Sequence, residues 1–171
     1  MKKNLLFVLF FLCVGLSAQN LSLNELIALR KMDLDDAESY LVNKGWTFIK
    51  GSEPTDETLG KAIFAYGASS TYDYAESFVS IYYRTFGENR INIQFTEQNK
   101  YNEFLAGVRK FAPTPINTKV EDNKLVKVYS GATTTFESSS GVGSNRYGDQ
   151  MPRWHLFIVE NQDYETEFGY Y

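Results

Sequence analysis

The sequence predicts an α+β fold: a tandem repeat of helix plus four-stranded antiparallel sheet, with the helices packed on one face of the sheet. Three observations carry this. Apolar residues recur with helical spacing in two separate places, from Leu23 to Met32 and from Tyr101 to Val108. Each helical stretch is followed by runs in which apolar and polar residues alternate, the period of a half-buried strand. Short turn-forming segments such as Gly87-Glu88-Asn89 and Asp122-Asn123 separate these runs, which favours hairpins.

Residues 1–18 stand apart from the fold. Lys2 and Lys3 precede an apolar run from Leu5 to Leu16 that ends in Ser17, Ala18 and Gln19, the pattern of a secretory signal peptide. That run is shorter than the roughly 20 residues a bilayer span needs, and no later segment is long or apolar enough. The expectation is an exported protein, periplasmic or extracellular, with no transmembrane segment. Leu12 stands before Cys13 where a lipoprotein signal carries a small residue, so lipid anchoring is not expected. Cleavage after Ala18 would remove the only cysteine, and with it disulfides, a thiol nucleophile and cysteine-ligated metals. The rest divides into a first repeat, 19–95, with a helical hairpin plus four strands, and a second, 96–171, with a helix, four strands and a C-terminal tail.

Ser22 and Glu25 have the spacing of a capping box, and Leu23, Leu26, Ile27 and Met32 give the first helix its apolar stripe. Asp33 caps a second helix whose positive end carries Asp35, Asp36 and Glu38 and whose buried side is Ala37, Tyr40 and Leu41. Lys44 and Gly45 close it, with Gly45 suited to a left-handed backbone and Trp46 folding back over the last turn. Strands are predicted at 46–50, 61–67, 76–85 and 90–95, with a polar loop from Ser52 to Gly60.

The central helix follows. Thr96 caps it, Glu97 lies at its positive end, Tyr101, Phe104, Leu105 and Val108 fall on one side, and Arg109 and Lys110 lie at its negative end. Pro113 and Pro115 stop it, while Gly107 weakens it by about 1 kcal/mol relative to alanine. Further strands are predicted at 116–121, 124–130, 133–138 and 153–160, with 139–152 as a long mobile loop.

The halves overlay at a constant offset: Lys61 meets Lys124, Tyr66 meets Tyr129, Arg90 meets Arg153, Glu97 meets Glu160 and Tyr101 meets Tyr164. One inserted residue also brings Ser69 to Asp73 onto Thr133 to Glu137. The overlay places Phe64 and Tyr66 with Lys127 and Tyr129, and the lysine marks that face as solvent-accessible. Phe64, Tyr66 and Tyr129 are therefore expected outward, together with Phe78, Tyr82, Arg84, Asn92, Gln94, His155 and Phe157. Val79, Ile81, Ile91, Ile93, Trp154 and Leu156 are expected in the core.

Composition excludes several functions. The chain has 21 acidic against 17 basic residues, and removing Lys2 and Lys3 makes it more acidic, which disfavours a nucleic-acid partner. His155 is the only histidine, and no Gly-x-Ser-x-Gly elbow or serine with a lysine three residues later is present. No cofactor, metal site or catalytic residue is predicted. Glu53, Asp56 and Glu57 share a loop but lack the spacing of a calcium-binding loop. Gly141-Val142-Gly143-Ser144 leads towards a strand and so makes no phosphate cradle.

The remaining functional signal is the outward set Phe64, Tyr66, Phe78, Tyr82, Arg84, Tyr129 and His155, since large rings beside a forked cation are the chemistry of interface hot spots. The layout is similar to that of the secreted β-lactamase inhibitory proteins, which bind an enzyme through an open sheet face; the likeness is architectural and carries no residue across. The expected function is a non-catalytic exported binding module that recognises a protein or envelope component through an aromatic sheet face. Alternatives are an immunity-type or structural envelope protein and a carboxylate-based hydrolase.

Overall fold

The computed structural model describes residues 21–68, 75–144 and 148–169. The stretch expected to be a leader, with Cys13, and residues 69–73 of the overlay lie outside them. Among the described residues the element order is α1 (Leu23–Leu29), α2 (Leu34–Asn43), β1 (Thr47–Ser52), β2 (Gly60–Tyr66), β3 (Ser77–Tyr83), β4 (Arg90–Phe95), α3 (Gln98–Phe111), β5 (Asn117–Glu121), β6 (Lys124–Ser130), β7 (Thr134–Ser144), β8 (Gln150–Glu160) and α4 (Asn161–Phe168). The strands form one eight-stranded antiparallel sheet in the order β1-β2-β3-β4-β8-β7-β6-β5. Each run of four is a meander, and the two join through their last strands, with Ile91 opposite Ile158 and Ile93 opposite Leu156.

The helix ends follow from local chemistry. Ser22 accepts from the Glu25 amide while the Glu25 carboxylate accepts from the Ser22 amide, a complete capping box. Asp33 accepts from the Asp36 amide at 2.8 Å and starts α2. At its other end Gly45 takes φ +83°, the Gly45 amide donates to the Val42 carbonyl and the Trp46 amide to the Leu41 carbonyl, which is a Schellman closure. Glu25 also accepts from Tyr40 and Lys44, clasping the two helices. Burial works against the charge on Glu25, but the Lys44, Tyr40 and Ser22 hydrogen bonds outweigh it and hold the pKa at about 2.

The three helices α1, α2 and α3 cover one side of the sheet. Leu26, Leu29, Leu41, Phe104 and Val108 pack there on Phe64, Val79, Ile81, Ile91, Ile93, Phe95, Phe136 and Ile158. Gly107 is explained by this packing: a Cβ there would lie 3.0 Å from Leu23 Cδ2, so glycine lets α3 approach α1. The β3–β4 turn closes the end of α1, with Asn89 Nδ2 donating to the Leu29 and Met32 carbonyls. Arg30, only 1% exposed, donates to Thr134 Oγ1 and ties α1 to β7; its Nε lies 2.7 Å from Glu88 Oε2 as a charge contact without hydrogen-bond alignment.

Several expectations are revised. The sheet is single and continuous, and not all helices share a face, since α4 packs on the opposite side over β7 and β8 with Tyr164 on Val128 and Val159. Residues 139–144 and 150–152, expected in a loop, extend β7 and β8, with Ser144 opposite Gln150. Thr96 does not cap α3; its hydroxyl donates to the Glu76 carbonyl at 2.8 Å, and Glu97 is the N-cap without a side-chain bond. The Asp122-Asn123 turn is as expected, both residues taking positive φ.

Candidate functional site

The register separates the two sheet faces. On the helix-covered face lie Phe64, Tyr66, Tyr83, Ile91, Phe136 and Tyr129; on the other, Ile63, Phe78, Tyr82, Asn92, Gln94, His155, Phe157 and Val128. The expected aromatic set is therefore split. Phe64 and Tyr129 are each 1% exposed and belong to the core, and Tyr66 packs at its edge with its ring 5.4 Å from that of Trp46. Lysine misled the assignment for a simple reason. Lys127 does share a face with Tyr129, but it sits on β6 opposite Ser138, where Thr118 on β5 and the rest of that edge are exposed. The side chain is only half-buried there, while Tyr129, two residues on, reaches the cluster beneath the helices.

Phe78, Tyr82, Arg84 and His155 are brought to the second face or its margin. Phe78 is half-buried between Ala65 and Gln94. Tyr82 meets Phe157 edge-on with ring centroids 6.5 Å apart, and Lys61 Nζ lies 4.8 Å over its ring. Arg84 follows the end of β3 and donates to Asp163 Oδ1 at 3.2 Å with 45% of its side chain exposed. His155 lies across the sheet between Gln94 and Ser139, some strands from Tyr82. Burial, then the positive charges of Lys124 and Arg153, lower its pKa to about 4, so the imidazole is neutral near pH 7.

Helix α4 supplies the groups that the sequence reading missed. Asp163 and Glu167 lie one turn apart and clamp Arg90, whose Nε is 2.7 Å from Asp163 Oδ2 and whose Nη2 is 3.0 Å from Glu167 Oε2. Burial opposes the Arg90 charge, but the bonds to Asp163 and Glu167 outweigh it and raise its pKa. Tyr164 and Phe168, on the same helix, cover Val128, Val159 and Phe157, and Tyr164 donates to Glu137 at 2.9 Å. The spacing was visible in the sequence as paired acids and paired aromatics four residues apart.

Between α4 and the 55–59 loop runs a polar groove of about 480 Å³ whose walls include Tyr82, Arg84, Arg90 and Glu167. A largely apolar recess of about 240 Å³ adjoins it, lined by Leu59, Tyr82, Phe157, Phe168 and the paired Arg90. The loop is braced by Thr55, which accepts from the Thr58 amide at 3.0 Å. Compared with protein families, curated proteins and solved structures, the chain matches none.

The groove and its recess bring together the Tyr82 ring, the partly exposed Arg84 guanidinium and the apolar side chains Leu59, Phe157 and Phe168. Of the carboxylates in its walls, Glu167 is paired with Arg90, while Asp56 and Glu57 on the loop make no ion pair among the described residues; Asp163, beside the groove, bonds to both arginines. Among the described residues no group of three or more His, Cys, Asp or Glu is placed to hold a metal ion, and no helix is long and apolar enough to cross a membrane.

Proposed function

We propose that the protein is an exported, non-catalytic binding module that recognises a protein or envelope component through the sheet face carrying Phe78, Tyr82 and Arg84. The observation that carries this reading is the groove beside α4, whose walls hold Tyr82 and a 45% exposed Arg84, with Tyr82 also lining the adjoining recess. Tyrosine and arginine at a partly desolvated recess are the residues on which interface affinity concentrates. Export rests on the leader pattern of residues 1–18. The tandem repeat remains part of the proposal: two four-strand meanders meeting at their last strands are what duplication of one unit would give.

The test is affinity capture from the envelope and medium of the cells that make the protein, using wild type and the double variant Tyr82→Ala, Arg84→Ala. The expected result is a specific partner whose recovery falls by about thirtyfold or more in the variant, the effect of losing about 2 kcal/mol at a hot spot. Equal capture by both proteins would refute the reading. A large fall in the variant's Tm would show that the two side chains serve folding instead.

A further inference from the structure

On the opposite side of the sheet, away from the groove, α2 and the outer strands β1 and β2 border an open cavity of about 470 Å³. This is within the range of small-molecule sites. Its apolar lining comes from Leu34, Phe48, Ala62 and Phe64. Phe64 and Ala62 are core residues, 1% and 4% exposed, whereas Phe48 is 47% exposed and meets Phe64 edge-on at 5.6 Å. A ring half in solvent at the mouth of an apolar cavity is available to a ligand, because its outward side has no protein neighbour to lose. Tyr83 closes one end, its hydroxyl donating to the Ser52 carbonyl at 3.2 Å.

The cavity's lining holds two carboxylates and one lysine. Glu38 on α2 and Glu53 after β1 both line it, and neither makes an ion pair among the described residues. The single lysine in the lining, Lys61, directs its ammonium to the other face of the sheet, 4.8 Å over the Tyr82 ring. The cavity therefore has an apolar floor, an aromatic side and two carboxylates without a compensating cation. From this geometry we infer that it is a binding site for an amphiphilic cation, an aryl or alkyl group bearing an amine. The hydrocarbon part occupies the space over Phe64 and the ammonium lies at Glu38 and Glu53, where carboxylate attraction and the Phe48 ring both favour a positive charge.

Three probes of one shape separate charge from apolar fit: phenylbutylamine, phenylbutanol and phenylbutyrate, titrated into the protein at low salt and followed by amide chemical shifts and calorimetry. The amine is expected to bind about five- to tenfold tighter than the alcohol, and the acid weakest, with shifts centred on Leu34, Phe48 and Phe64. In the double variant Glu38→Gln, Glu53→Gln the amine should fall to the affinity of the alcohol. Both positions are exposed, so the variant should fold, which its circular dichroism and Tm check. Absence of saturable amine binding to the wild type overturns the assignment, as does equal affinity for the three probes or a preference that survives the double substitution. The outcome is independent of partner capture at Tyr82 and Arg84, which lies across the sheet.

Discussion

Replacing His155 by glutamine should remove an acid sensitivity located on the α4 side of the sheet. The imidazole is half-buried, and its pKa of about 4 results from burial and then from Lys124 and Arg153. Facing it across the strands are Gln94 and Ser139, which do not titrate. A base whose folded pKa lies below its unfolded value stays neutral in the native state while the unfolded chain already takes up a proton. Its contribution to stability is thus complete above pH 6.5 and is lost progressively as pH falls to about 4. The full interval corresponds to about 3 kcal/mol, and most of it is traversed by pH ~4.5. Urea unfolding at pH ~7 and ~4.5 should show the wild type losing about 2 kcal/mol more than His155→Gln. Glu25 is common to both proteins, and its stabilisation declines only as pH falls from 4.5 towards 2, so the difference isolates the histidine. Parallel pH dependences for the two proteins would refute the reasoning and mean that His155 is effectively solvated.

Two further expectations concern packing. Arg90→Met leaves Asp163 with Arg84 alone and Glu167 without a partner and should cost about 1–2 kcal/mol, with amide exchange in α4 rising before that of the sheet; unchanged protection over residues 161–168 would show that the aromatic contacts of Tyr164 and Phe168 hold the helix unaided. Phe64→Ala should cost about 3–5 kcal/mol in chemical denaturation because the side chain lies beneath the helices, and a loss below about 1 kcal/mol would return Phe64 to the surface where the sequence reading put it.

How much was legible can be read from particular residues. The capping box at Ser22, the Asp33 cap and the Gly45 closure were readable because each is decided within a few residues by local hydrogen bonding. The boundaries of β4 and β6 followed from alternation alone. What alternation cannot supply is which of two faces is covered. In β3 and β4 the core side was plain because only one face is aliphatic. In β6 both faces carry apolar residues, Val126 and Val128 on one and Leu125 and Tyr129 on the other, and a lone lysine tipped the assignment the wrong way. The lysine reported the reach of the helices along the sheet, which is a tertiary property. For the same reason Phe64, Tyr66 and Tyr129 were grouped with Tyr82 and Arg84, although they lie on the other side. Helix α4 was missed because its buried side depends on Val128 and Val159 being exposed without it, and this too is a matter of which face is covered.

The junction of β4 with β8 has a bearing on how the protein is made. Residues 90–95 emerge from the ribosome long before residues 154–158, so the first meander must wait with a bare inner edge while about sixty further residues are synthesised. That edge carries Ile91, Ile93 and Phe95, residues that favour pairing with any strand at hand. The sheet thus contains its own aggregation hazard at its centre, and a chain cut short before β8 would present permanently the edge that the complete chain hides.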